Sequence, residues 1–87
     1  MSQEEIKQLI EEHGYESVLL FESPSYETAF VGISQDDRAV YDYDKMVEYL
    51  IETDGMTDEE AIEFIDYNTI RAIPYYEGAP IVFRSLE

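Results

Sequence analysis

The chain has no cysteine and a single histidine in 87 residues. Without thiols it has no disulfide framework, no thiolate nucleophile and no thiolate metal site. One histidine excludes a di-iron bundle, which needs Glu-x-x-His twice. The four glycines stand isolated at positions 14, 32, 55 and 78, so a Gly-rich phosphate loop is missing. No apolar run approaches the roughly 20 residues that span a bilayer. The N-terminus, Met1-Ser2-Gln3-Glu4-Glu5, is acidic, whereas a secretory signal needs a basic start and an apolar stretch. These absences lead us to expect a cytoplasmic protein. Basic residues are also scarce, at five Lys and Arg against 21 Asp and Glu. An anionic membrane surface would repel such a chain.

What is present is charge of one sign, with a formal net of −16. Small soluble domains usually carry a net charge of magnitude about 2–8. Acidity of this size accompanies disorder only where hydrophobicity is low and aromatics are few. Here 45% of residues are hydrophobic and 14% aromatic, including eight Tyr and four Phe. The chain should fold, as one acidic α+β domain over residues 1–87.

The first helix has both ends marked. Ser2 and Glu5 have capping-box spacing, and Met1 and Ile6 fit the flanking staple. Ile6, Leu9, Ile10 and His13 fall on one face. Gly14 suits a left-handed exit that folds Tyr15 back on Ile10. Val18 to Phe21 is a continuous apolar run that reads as a strand covered on both faces. Ser23-Pro24-Ser25-Tyr26 is a turn signal. Glu27 to Ser34 alternates and reads as a strand. Gln35-Asp36-Asp37-Arg38 reads as a hairpin loop, and Ala39 to Tyr43 as a third strand.

Two helices follow. Asp42 or Asp44 caps the first, whose apolar positions are Met46, Val47, Leu50 and Ile51, with Gly55 as its exit. Thr57 and Glu60 form a second capping box, with Met56 and Ala61 as staple. Ile62, Phe64, Ile65 and Thr69 carry the buried stripe of this helix. It should end before Pro74, because the residue preceding a proline avoids the helical region. Ile81 to Ser85 reads as a last strand. The expected order is α-β-β-β-α-α-β, a mostly antiparallel sheet with helices packed on one face.

Catalytic chemistry finds little foothold. With 21 carboxylates, two close together are expected by chance, so a glycosidase-like pair does not stand out. Two segments begin like calcium loops and fail. Asp42-Tyr43-Asp44-Lys45-Met46 breaks the pattern at its fifth position, and Asp54-Gly55 is followed by Met56. His13 sits beside a helix C-terminus, where packing or the helix dipole accounts for it. The sequence therefore assigns no catalytic residue, no cofactor-binding residue and no metal ligand.

The acidic stretch is the main functional signal. From position 42 to 66 there are ten acidic residues and one basic, a local net of −9. Asp58, Glu59 and Glu60 lie in the first turn of a helix, where negative charge is stabilising. Glu48 with Glu52, and Glu59 with Glu63, are different. Each pair is four apart, and like charges at that spacing destabilise a helix by a few tenths of a kcal/mol. Tolerating both pairs suggests that negative potential is wanted. A solvated face is the plainer reading of any single one of them. Arg71 and Arg84 are isolated and form no basic patch, so direct nucleic-acid binding is not expected. Of the tyrosines, Tyr41 and Tyr43 should point to one side of a strand, and Tyr49 and Tyr67 should rim the core. Tyr75 and Tyr76, in a loop, are the better interface candidates.

In length, acidity and element order over roughly residues 3–70, the chain resembles small phage-encoded anti-CRISPR proteins that act as DNA mimics. Those proteins occupy the basic site where a CRISPR nuclease reads the motif beside its DNA target. The final strand departs from that plan. The phrases Val40-Tyr41-Asp42-Tyr43-Asp44-Lys45-Met46-Val47 and Asp66-Tyr67-Asn68-Thr69-Ile70-Arg71-Ala72-Ile73-Pro74-Tyr75 are similar to small acidic proteins of unassigned function from Firmicutes and mobile elements.

The leading expectation is a non-enzymatic inhibitor that mimics nucleic acid and docks on a basic surface, that of a bacterial defence or DNA-handling protein. Its partner-binding residues would be Asp42, Asp44, Glu48, Glu52, Glu59, Glu63, Asp66, Tyr75 and Tyr76. One alternative is a regulatory or antitoxin-like interaction module that binds through Tyr75 and Tyr76. A second is a salt-adapted housekeeping protein whose charge serves solvation.

Overall fold

The computed structural model describes residues 1–86. Its class is α+β, with three helices and a small mixed sheet. Helix α1 spans Gln3–Glu12 and is closed at both ends by local chemistry. The Glu5 N–H donates to Ser2 Oγ at 3.3 Å, and the Ser2 N–H donates to Glu5 Oε1 at 3.0 Å. The Ser2 N–H, more than its hydroxyl, holds the Glu5 carboxyl below the ordinary carboxylate range. At the other end Gly14 has φ +86°. The Gly14 N–H bonds the Glu11 carbonyl and the Tyr15 N–H bonds the Ile10 carbonyl, both at 3.0 Å. Those two bonds are the paired C-terminal motif that a left-handed glycine permits. Ile6 is buried, whereas Leu9 and His13 stay exposed.

Val18 to Phe21 is not a strand. Leu19 is 43% exposed, so the run is not covered on both faces. Its end is anchored through side chains instead. The Phe21 N–H donates to the buried Tyr41 hydroxyl at 3.2 Å, and Gln3 Nε2 donates to the Phe21 carbonyl at 2.9 Å. The Phe21 ring lies 4.6 Å from that of Tyr41 and 5.5 Å from that of Tyr26. Apolar content alone pointed to a strand. An N–H taken by a hydroxyl is lost to a ladder.

The next segment passes a cis Ser23–Pro24 bond and reaches Tyr26, which adopts φ 49°. A bulky residue in the left-handed region is strained. Complete burial and a 2.9 Å bond between the Tyr26 hydroxyl and Thr69 Oγ1 hold it there. Residues Glu27–Ala29, expected in a strand, form a 3₁₀ turn. Strand β1 then covers Phe30–Ile33 and β2 covers Ala39–Asp42. They pair antiparallel, with a bulge between Phe30 and Gly32. The expected hairpin loop joins them, closed by the Ser34 N–H on the Arg38 carbonyl at 2.8 Å.

Helix α2 covers Tyr43–Asp54 and α3 covers Asp58–Phe64. The chain continues through a π-helical turn, Ile65–Thr69, and a 3₁₀ segment, Ile70–Tyr75. The α-helix ends before Pro74, as expected, but helical turns of other kinds continue past it. Pro74 lies inside the 3₁₀ segment, where it supplies a helical φ but no N–H. Strand β3, Ile81–Phe83, runs parallel to β2 and pairs Val40 with Ile81 and Asp42 with Phe83. The sheet order β1-β2-β3 makes β2 central and the sheet mixed rather than a meander.

The core is rich in tyrosine. Tyr26 and Tyr41 are fully buried beside Met46, Leu50, Ile65 and the small residues Ala29, Ala39 and Ala61. A buried hydroxyl must be hydrogen-bonded, and both of these are. Burial pushes the Tyr41 phenol up to about 12.

Candidate anionic interface

The candidate surface begins at Asp42, the last residue of β2. Its Oδ1 accepts from the Asp44 N–H at 3.0 Å and the Lys45 N–H at 3.3 Å. That capping geometry satisfies two of the orphan donors that start α2. Asp42 is 9% exposed, so its carboxylate serves the fold and offers little to a partner.

From that cap the helical period sorts the side chains. Tyr43, Met46 and Leu50 face the core. Asp44, Lys45, Glu48 and Glu52 lie on the opposite side and are exposed. Helix α3 starts on its own capping box, with the Glu60 N–H on Thr57 Oγ1 at 3.2 Å and the Thr57 N–H on Glu60 Oε1 at 2.9 Å. Ala61 and Ile65 turn inward, while Glu59, Ile62 and Glu63 are exposed. The two helices pack on each other. Within each stacked pair the rise along the axis is about 6 Å.

Lys45 stands on this surface beside Asp44 and Glu48, and among the described residues it makes no ion pair. Among the described residues the one ion pair joins Arg38 and Asp36 at 3.6 Å, in the hairpin loop. Arg38 Nε also donates to the Ala79 carbonyl at 2.7 Å. Arg71 lies over the Tyr67 ring at 4.7 Å, and Arg84 over the Tyr43 ring at 4.1 Å. These guanidinium groups stack on aromatic faces, where the ring quadrupole attracts a cation.

Asp66 is exposed and accepts the Tyr43 hydroxyl at 2.9 Å. Burial, and next that bond, raise the Tyr43 phenol above its ordinary value. Tyr43, Asp66 and Arg84 thus tie the start of α2, the π turn and the residue after β3 together. Sequence reasoning missed this knot. The isolated Arg84 carried no periodic signal, and Tyr43 turned out to begin a helix rather than end a strand. Tyr49 is half-buried, as expected for the rim of the core. Tyr67 is not at that rim. It is 67% exposed, because the π turn shifts the phase of the side chains that follow α3. Tyr75 is 87% exposed at the end of the 3₁₀ segment, and Tyr76 beside it is also exposed.

Among the described residues no three acidic or histidine side chains converge to hold a metal ion. No helix among them is long and apolar enough to cross a membrane. Comparison with protein-family models, with curated proteins and with solved structures finds no significant match to this chain.

Proposed function

We propose that the protein is a non-enzymatic binding protein that presents the outer faces of α2 and α3 to a basic surface in place of nucleic acid. The reading is an inhibitor of the anti-CRISPR or anti-restriction type, acting on a bacterial defence or DNA-handling protein. One observation carries it. Glu48, Glu52, Glu59 and Glu63 are exposed on two packed helices, and among the described residues none is in an ion pair. Asp44 extends the surface along α2, and Asp66 is exposed in the turn after α3. A coherent field of one sign steers association with a surface of the other sign.

The test is competition. Immobilised protein is exposed to bacterial lysate at low salt, and the bound fraction is challenged with duplex DNA. Release of a DNA-handling protein by DNA, and weaker capture by a variant with all four glutamates changed to Gln, is the expected result. Retention of the same partner in molar salt and excess DNA would contradict mimicry.

A second reading has its own support. Tyr75 and Tyr76 project from the end of the 3₁₀ segment, and exposed tyrosines side by side suit an interface centre. In that case Tyr75→Ala and Tyr76→Ala would weaken binding more than the four glutamine changes.

A further inference from the structure

Strand β1 lies at an edge of the sheet. Among the described residues it has β2 on one side and no strand on the other. Such an edge presents N–H and C=O groups that another chain can complete. Natural edges are usually guarded by charge, proline or a bulge. Residues Phe30–Ile33 include no charge and no proline, which leaves the bulge after Phe30.

A groove runs between α1 and this strand. Leu9, Ile10 and His13 line it on the helix side, and all of Phe30–Ile33 line it on the other. Successive side chains of a strand point to opposite faces. A groove that touches four consecutive residues, one of them glycine, therefore follows the backbone edge and not a single face. The sheet face beside the edge is open at Gly32, where a built Cβ would meet nothing within 4 Å. Val31 is 57% exposed, so the groove already shows an apolar wall to water.

The surroundings define the charge of an occupant. Glu5 and Glu12 lie four before and three after Leu9 on α1, and both are exposed. Residues at those spacings share a helix face. Lys7 lies three before Ile10, and Met1, whose ammonium helps to lower the Glu5 carboxyl, also lines the groove. Glu27 precedes β1, and Asp36 and Asp37 follow it in the hairpin loop. Arg38 is engaged by Asp36 and the Ala79 carbonyl. Glu5, Glu12, Glu27, Asp36 and Asp37 outnumber the Met1 ammonium, Lys7 and Arg38, so the slot is apolar along its length and net anionic at its rim and ends.

We propose that β1 and the α1 groove take up an extended segment of a basic partner protein, which adds to the sheet as a further strand with apolar side chains alternating with Lys or Arg. Backbone bonds to the edge supply affinity, and the alternate side chains supply selection. A second copy of this chain suits the slot less well. Pairing β1 with β1 would bring two molecules of net −16 to a strand spacing of about 4.8 Å. The slot uses no residue of α2 or α3, so it stands apart from the surface assigned above.

The test uses the whole protein and a short acetylated, amidated peptide alternating Lys and Val. Two control peptides carry N-methyl groups on alternate residues, one in each phase, which keeps the charge and removes one set of donors. Amide resonances of Val31, Gly32 and Ile33 should shift on titration. One of the two methylated peptides should bind about tenfold more weakly or worse. Val31→Lys, an exposed change whose folding is checked by its melting curve, should abolish binding. Glu77→Gln, an exposed acid outside the groove and outside α2 and α3, should leave it within about twofold, as distant exposed charges are screened. Shifts confined to α2 and α3, or equal binding by all three peptides, would overturn the proposal. So would a concentration-dependent dimer that protects the β1 amides and resists the peptide.

Discussion

Replacing Glu52 and Glu63 with lysine should make this protein more stable while weakening its hold on a basic partner. Glu48 and Glu52 stack four apart on the exposed side of α2, as do Glu59 and Glu63 on α3. Each like-charge pair destabilises its helix by about 0.2–0.5 kcal/mol, and an acid–base pair at that spacing stabilises by a similar amount. Glutamate N-terminal to lysine is also the better orientation. Reversing one member therefore gains about 0.4–1 kcal/mol per helix, and about 1–2 kcal/mol for both. In a domain this small each kcal/mol moves the melting temperature by about 4–8 °C. Thermal denaturation at low ionic strength should show a rise of about 4 °C or more in Glu52→Lys/Glu63→Lys. The gain should shrink at molar salt, where the screening length falls to about 3 Å. A double variant that melts at or below the parent temperature would refute the reasoning. It would mean that the stacked carboxylates support the fold and were not retained at its expense.

Tyr41→Phe removes the acceptor of the buried Phe21 N–H and should lower stability by about 1–3 kcal/mol. Hydrogen exchange at Phe21 should accelerate selectively in that variant, and an unchanged melting curve would show that the bond does not anchor residues 18–21. Thr57→Ala loses the α3 capping box and should lower stability by about 1 kcal/mol, read as a drop in melting temperature. Alkali should unfold the protein through its core tyrosines. The Tyr41 phenol is raised to about 12 in the fold, so the stability it contributes is complete below its ordinary value near 10 and is lost as pH rises from there through 12. The loss amounts to about 3 kcal/mol, and a spectrophotometric titration of tyrosinate that overlays the loss of helical signal is the expected record.

Local chemistry made both ends of α1 and α2 and the start of α3 legible. Ser2 with Glu5, Thr57 with Glu60, and Gly14 and Gly55 act within a few residues, and the structure forms each of these motifs. The outward side of α2 and α3 was legible for the same reason. A 3.6-residue period fixes which glutamates face water once Met46, Leu50, Ala61 and Ile65 face inward, although Ile62, expected in the buried stripe of α3, is 42% exposed. Long-range pairing was not legible. Val18 to Phe21 has strand composition, but the hydroxyl of Tyr41, twenty residues on, takes the N–H of Phe21. The parallel placement of β3 on β2 depends on a crossover through both helices, which no local pattern records. The π turn at Ile65–Thr69 breaks the 3.6-residue period of α3, and Tyr67 within it is 67% exposed. Asp42 was legible as a cap, and that role explains why its carboxylate is withdrawn from the surface.

The most direct measurement compares the salt dependence of partner affinity in the parent with that in the Glu48→Gln/Glu52→Gln/Glu59→Gln/Glu63→Gln protein, using the partner that duplex DNA displaces. If the exposed carboxylates of α2 and α3 do the binding, the parent's affinity falls steeply with salt, and the neutralised protein binds more weakly with a shallower slope. Equal affinity and equal slope in the two proteins would contradict the account.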